Sequence, residues 1–76
     1  MNQPTYQRGA VIKYRGKAGL SWLAWAGHDD YYNEVWYCQR RDSVNPSAPR
    51  AVSHAELLEE IGTIENMLRG DDHGND

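Results

Sequence analysis

His28, Asp29 and Asp30 stand in one run, a grouping that offers ligands for a metal ion or partners for acid–base work. Metal sites draw on three or four converging ligands with a supporting shell of hydrogen bonds. His54 and His73 are distant in sequence, and no histidine has a second ligand at helical i, i+4 spacing. The run therefore reads as a polar turn in which Asp and Asn side chains serve the backbone. Cys38, the single cysteine, precedes Arg40 and Arg41. Nearby cations lower a thiol pKa, but strand alternation turns Cys38 toward the packed side of a sheet, as a small buried hydrophobe. Ser53 and His54 adjoin, and helix capping accounts for Ser53 without catalysis. The glycines at 16 and 19 match no phosphate-loop spacing. The expectation is a chain that is not an enzyme, with no catalytic residues, no cofactor and no metal.

Cations interleaved with aromatics are the next constellation. Lys13, Arg15 and Lys17 flank Tyr14, and Arg40 and Arg41 follow Trp36 and Tyr37. Phosphates meet Lys and Arg while bases stack on rings, so these five cations form a candidate nucleic-acid surface. Against it stands a net charge of −3, where dedicated nucleic-acid modules are basic. Basic side chains at strand edges also deter aggregation. The charge is uneven: residues 1–50 hold seven basic and four acidic side chains, and residues 51–76 hold one and seven. Such asymmetry marks a partner of defined sign.

The elements that must position these groups are short strands followed by a helix. "RGAVIKYR", residues 8–15, alternates Ala10, Ile12 and Tyr14 against Val11, Lys13 and Arg15. "GKAG", 16–19, supplies a turn. "GLSWLAWAG", 19–27, reads as a second strand, and "NEVWYCQRR", 33–41, as a third; "RAV", 50–52, adds a short fourth. "SHAE", 53–56, fits a capping box. Leu57, Ile61, Ile64 and Leu68 then recur at helical spacing, which predicts one C-terminal helix stopping at Gly70. Residues 1–70 are expected to form a single small domain, with 71–76 an acidic tail.

The second and third strands are apolar on both faces. Leu20, Trp22, Ala24 and Ala26 alternate with Ser21, Leu23 and Trp25; Val35 and Tyr37 oppose Trp36 and Cys38. One helix shields one face. The other face can be folded inward by curling the sheet, paired with a second copy, or offered to a foreign partner. The preferred expectation is a non-catalytic protein-interaction module. It binds a protein partner or itself through Trp25, with Trp36 or Tyr37 and Leu23 beside it; nucleic acid is the alternative.

"RGAVIKYRGKAG" followed by a Trp-bearing strand resembles the opening of SH3-like small barrels. "GAVIKYRGKAGLSW" and "AVSHAELLEEI" are similar to segments of the plasmid-borne type II dihydrofolate reductases, which are tetrameric barrels. The Val-Gln-Ile-Tyr strand of that family's active site has no counterpart in "PRAVSHAEL", so the resemblance does not bring the activity with it. The β-β-β-α order is also similar to the sheet-reading DNA-binding domains of tyrosine integrases, although this helix is more acidic. The fold class expected is α+β: a three- to four-stranded antiparallel sheet, or a small SH3-like barrel, with one C-terminal helix. Size and style suit an accessory or inhibitory factor of a phage or plasmid. The single cysteine, the lack of a signal-peptide pattern and the lack of a long apolar run give a cytoplasmic expectation, with no membrane partner.

Overall fold

The computed structural model describes residues 4–44 and 48–68. Five strands and one helix follow in the order β1 (Val11–Gly16), β2 (Ser21–His28), β3 (Glu34–Arg40), β4 (Arg50–Val52), α1 (His54–Glu60) and β5 (Ile61–Leu68). The strands form one antiparallel sheet ordered β4-β3-β2-β1-β5. The class is α+β. The strand expected over 50–52 is present as β4. No helix among the described residues is long and apolar enough to cross a membrane. The acidic tail expected over 71–76 lies outside the described residues.

The helix is where the sequence pattern misled. Its start is as expected: Ser53 Oγ accepts from the Glu56 amide at 3.1 Å, and the Glu56 carboxylate accepts from the Ser53 amide at 3.0 Å. Its end is not, because α1 stops at Glu60 and Ile61 is already extended, with φ −75° and ψ 124°. The helix is therefore not C-terminal, and the sheet has five strands rather than three or four. β-branched Ile61, Thr63 and Ile64 suit a strand, and the intervening Gly62 weakens a helix and marks a bulge. The free edge of β1 supplies the partner, since unpaired backbone groups on a long strand are costly. The pairing of β1 with β5 contains two register shifts that leave Gly62 and Glu65 unmatched. Gly62 sits so close to β1 that a Cβ there would lie 3.1 Å from the carbonyl oxygens of Arg15 and Gly16.

β4 and β5 are opposite edges of the sheet, yet only α1 and its cap join them. Seven helical residues span about 10 Å, and Ser53 with the links to Val52 and Ile61 adds about 10 Å. Together these only equal four interstrand steps in a flat sheet, about 19 Å, and leave nothing for a helix to rise over it. The sheet must curl for the helix to reach. It does not close: β4 is hydrogen-bonded to β3 and β5 to β1, so the SH3-like barrel is replaced by an open sheet. The core fills the concave side. Ile12, Tyr14, Ala24, Trp36 and Leu57 are wholly buried there, with Ile61, Ile64 and Trp22 packed at the margin. Ala26 pairs with Trp36 across β2 and β3, and its small side chain leaves room for the indole. The Trp36 indole N–H donates to His54 Nδ1 at 3.1 Å, tying the first residue of the helix to the sheet. Tyr6 packs edge-on against Trp36, with ring centroids 5.8 Å apart, and donates its hydroxyl proton to the Gly27 carbonyl.

Gly62→Ala separates the two secondary structures. In a helix the change would add stability. In this strand the new methyl group meets two backbone carbonyls, so the folded state should lose about 1–2 kcal/mol. Urea unfolding should show a lower midpoint with an unchanged slope. A raised midpoint would contradict the strand.

Candidate functional site

The strand register divides the side chains of the sheet between two faces. Val11, Trp25, Tyr37 and Ala51 form one cross-strand row, Lys13, Leu23 and Gln39 the next, and Gly27 pairs with Val35 beyond them. All point away from the core, which takes Ile12, Tyr14, Ala24, Ala26, Trp36 and Cys38. The helix lies on the core side, where Leu57 inserts, and Tyr6 contacts Trp36 from that side as well. The outer face therefore stays uncovered among the described residues. Val11, Leu23, Trp25, Val35 and Tyr37 are each only half-buried.

At its centre the Trp25 and Tyr37 rings stack, with centroids 6.0 Å apart and planes 29° from parallel. The Tyr37 ring lies across Gly27, where a Cβ would come within 3.0 Å of it. Its hydroxyl donates to the His28 carbonyl at 2.7 Å. Ring, glycine and carbonyl together fix Tyr37 in one orientation. Aromatic pairs of this kind contribute on the order of 1 kcal/mol beyond their area.

Of the residues expected at a partner surface, Leu23, Trp25 and Tyr37 thus come together. Trp36 does not: it is 0 % exposed on the opposite face. One residue of alternation separates it from Tyr37, and the core takes the Trp36 parity because α1 and Tyr6 pack there.

The five cations do not form one patch. Arg15 and Arg41 both grip Glu65, at 3.2 Å and 2.5 Å. Arg41 also donates to the Trp22 carbonyl and Arg15 to the Gly19 carbonyl. Arg40 pairs with Asp42 at 2.8 Å and lies over the Trp22 ring. Lys17 belongs to the β1–β2 turn, where its amide donates to the Glu60 carbonyl. Lys13, on the outer face, and Lys17 form no ion pair with another described residue. Glu65 is the residue of β5 displaced by the second register shift, and the two guanidiniums hold it in place.

The remaining chemical groups are occupied structurally. Asp29 Oδ1 accepts from the Tyr31 and Asn33 amides at 2.8 Å and 2.9 Å, and Asp29 Oδ2 from Asn33 Nδ2. These bonds, the Asn33 amide first, hold its carboxyl below the usual range. The run 28–30 is the stapled turn the sequence suggests. Among the described residues no three His, Cys, Asp or Glu side chains converge as metal ligands. Cys38 is 3 % exposed, and burial pushes its thiol pKa up, leaving it protonated rather than activated by the arginines. The Tyr14 hydroxyl beside it is raised by burial too. Tyr31 and Tyr32 are side chains that sequence reasoning passed over. They are 83 % and 85 % exposed at the β2–β3 tip, and Tyr32 adopts φ 63°. A tyrosine pair inside a turn flanked by Asp and Asn is the signal for them.

Two predictions follow from this geometry. Gly27→Ala should displace the Tyr37 ring, seen as a change in the ring-current shifts between Tyr37 and Trp25, with the Trp36 signals unmoved. Glu65→Gln tests the double clamp. The bond from Arg41, and then Arg15, holds the Glu65 carboxyl below its ordinary value. A lowered carboxylate stabilises the fold above its unfolded-state pKa, and that contribution is lost as pH falls through the folded-state value. The variant should therefore be less stable than the parent at neutral pH, with the difference vanishing as the pH falls below the folded-state value.

Compared with protein-family models, characterised proteins and solved structures, the chain matches none.

Proposed function

We propose that this chain is a non-catalytic protein-interaction module whose contact surface is the outer sheet face of Leu23, Trp25, Val35 and Tyr37. One observation carries the reading: a stacked Trp–Tyr pair, pre-oriented by Gly27 and the His28 carbonyl, stands on a face that neither α1 nor Tyr6 covers. Rigid aromatics of this kind anchor interfaces because little side-chain entropy is left to lose on binding. Nucleic acid is the weaker reading. Arg15, Arg40 and Arg41 are already paired with carboxylates, so phosphates would have to displace them.

A photoreactive benzoylphenylalanine placed at position 23 tests the surface in the cells that make the chain. The expected product is a protein adduct that disappears when Trp25→Ala is added. Trp25→Ala itself should leave the chain folded, with a urea midpoint lowered by the lost stack and half-buried area, about 1–2 kcal/mol, because Trp25 lies outside the core. Adducts that persist with Trp25→Ala, or adducts to nucleic acid alone, contradict the assignment.

A further inference from the structure

The outer face is polarised along the strands, and this identifies the chemistry of its partner. Lys13 pairs with Leu23, one row from the Trp25–Tyr37 stack. Arg15 follows on the same face, and Arg41 joins it through Glu65. Two arginines thus share one carboxylate, and Lys13 stands beside them without one, at the end of the face nearest the β1–β2 turn, in a chain whose net charge is −3. Exposed Glu56 and Glu59 belong to the helix, whose Leu57 packs against the opposite face of the sheet. At the other end of the outer face lies the β2–β3 tip, where the Asp29 carboxylate is consumed by backbone amides. Lys13 is half-buried between Leu23 on one side and Asn66 on the other, and unpaired with any described acidic residue. An ammonium in that setting favours an anion more than a fully hydrated one does.

We propose that the face receives an acidic polypeptide segment from another protein: an apolar side chain seats against Trp25 and Tyr37, and a carboxylate nearby reaches Lys13. The proposal rests on the interaction-module reading above and adds the sign of the partner. Within the sheet face itself a second copy offers Lys13 no free carboxylate, because Glu65 is held by two guanidiniums and exposed Asp30 stands out at the β2–β3 tip. A polyphosphate chain needs a row of free cations, and the described face offers one beside the aromatic pair.

The test uses the full chain and two short probe peptides, one alternating glutamate with leucine and the other lysine with leucine, followed by heteronuclear NMR and by tryptophan fluorescence in a Trp22→Phe background, where Trp25 and the enclosed Trp36 remain. The glutamate peptide should bind at low salt, weaken as salt rises, and shift the signals of Lys13, Leu23, Trp25 and Tyr37. Lys13→Glu should lower its affinity about fivefold or more and move the preference toward the lysine peptide. Equal binding of both peptides, lost with Trp25→Ala, overturns the charge assignment and keeps the surface. Binding of the glutamate peptide unaffected by Trp25→Ala overturns the surface itself. Binding of neither peptide, together with a concentration-dependent dimer in sedimentation or with retention of a single-stranded oligonucleotide, overturns the acidic partner in favour of a second copy or of nucleic acid respectively.

Discussion

The structure depends on a short strap. Between Val52 on one edge of the sheet and Ile61 on the other, the chain has only Ser53 and the seven residues of α1. That reach matches the width of a flat five-stranded sheet and leaves none for rising over its face, so the sheet curls around whatever the strap carries inward. It carries Leu57, which is wholly buried. His54 fastens the start of the strap to Trp36, and the Lys17 amide meets its last carbonyl, that of Glu60. Curl defines an inside and an outside, and every assignment of a side chain to core or surface follows from it.

With the inside filled by Ile12, Tyr14, Trp36 and Leu57, the second apolar set has no place left within the described fold. Trp25 and Tyr37 stand outside. They are not loose: stacking, the bare backbone of Gly27 and one hydrogen bond fix their geometry. Stacking returns part of the cost of holding large aromatics on a solvated face. The contact surface proposed above would account for the rest, and Lys13 stands one row away. The arginines, by contrast, are spent within the fold. Arg15 and Arg41 pin the irregular edge strand β5 through Glu65, and Arg40 folds back on Asp42 and Trp22.

Much of this was legible in the residues. Strict alternation placed Ile12 and Tyr14 against Val11 and Lys13, and Trp36 and Cys38 against Val35 and Tyr37. The serine cap and Glu56 marked the helix start. The helix end was not legible from periodicity, because Leu57, Ile61, Ile64 and Leu68 fall at a spacing that a helix satisfies. The register shift at Gly62 lets Ile61 and Ile64, three apart, both face the core from a strand, which strict alternation would forbid. The information that overrides the pattern is non-local: an unpaired edge of β1 that only folding presents. For the same reason alternation alone did not decide between Trp36 and Tyr37. The choice of face was made by what packs on it, the helix and Tyr6.

The most direct measurement is the accessibility of the indole N–H groups of the three tryptophans in solution. Their proton signals, followed in the free chain with a soluble paramagnetic agent over a range of protein concentration, report each ring separately. The account predicts that the Trp25 signal broadens strongly at every concentration while that of Trp36, enclosed and bonded to His54, persists. A Trp25 signal as protected as that of Trp36 would mean that the outer face is already covered, and would contradict it.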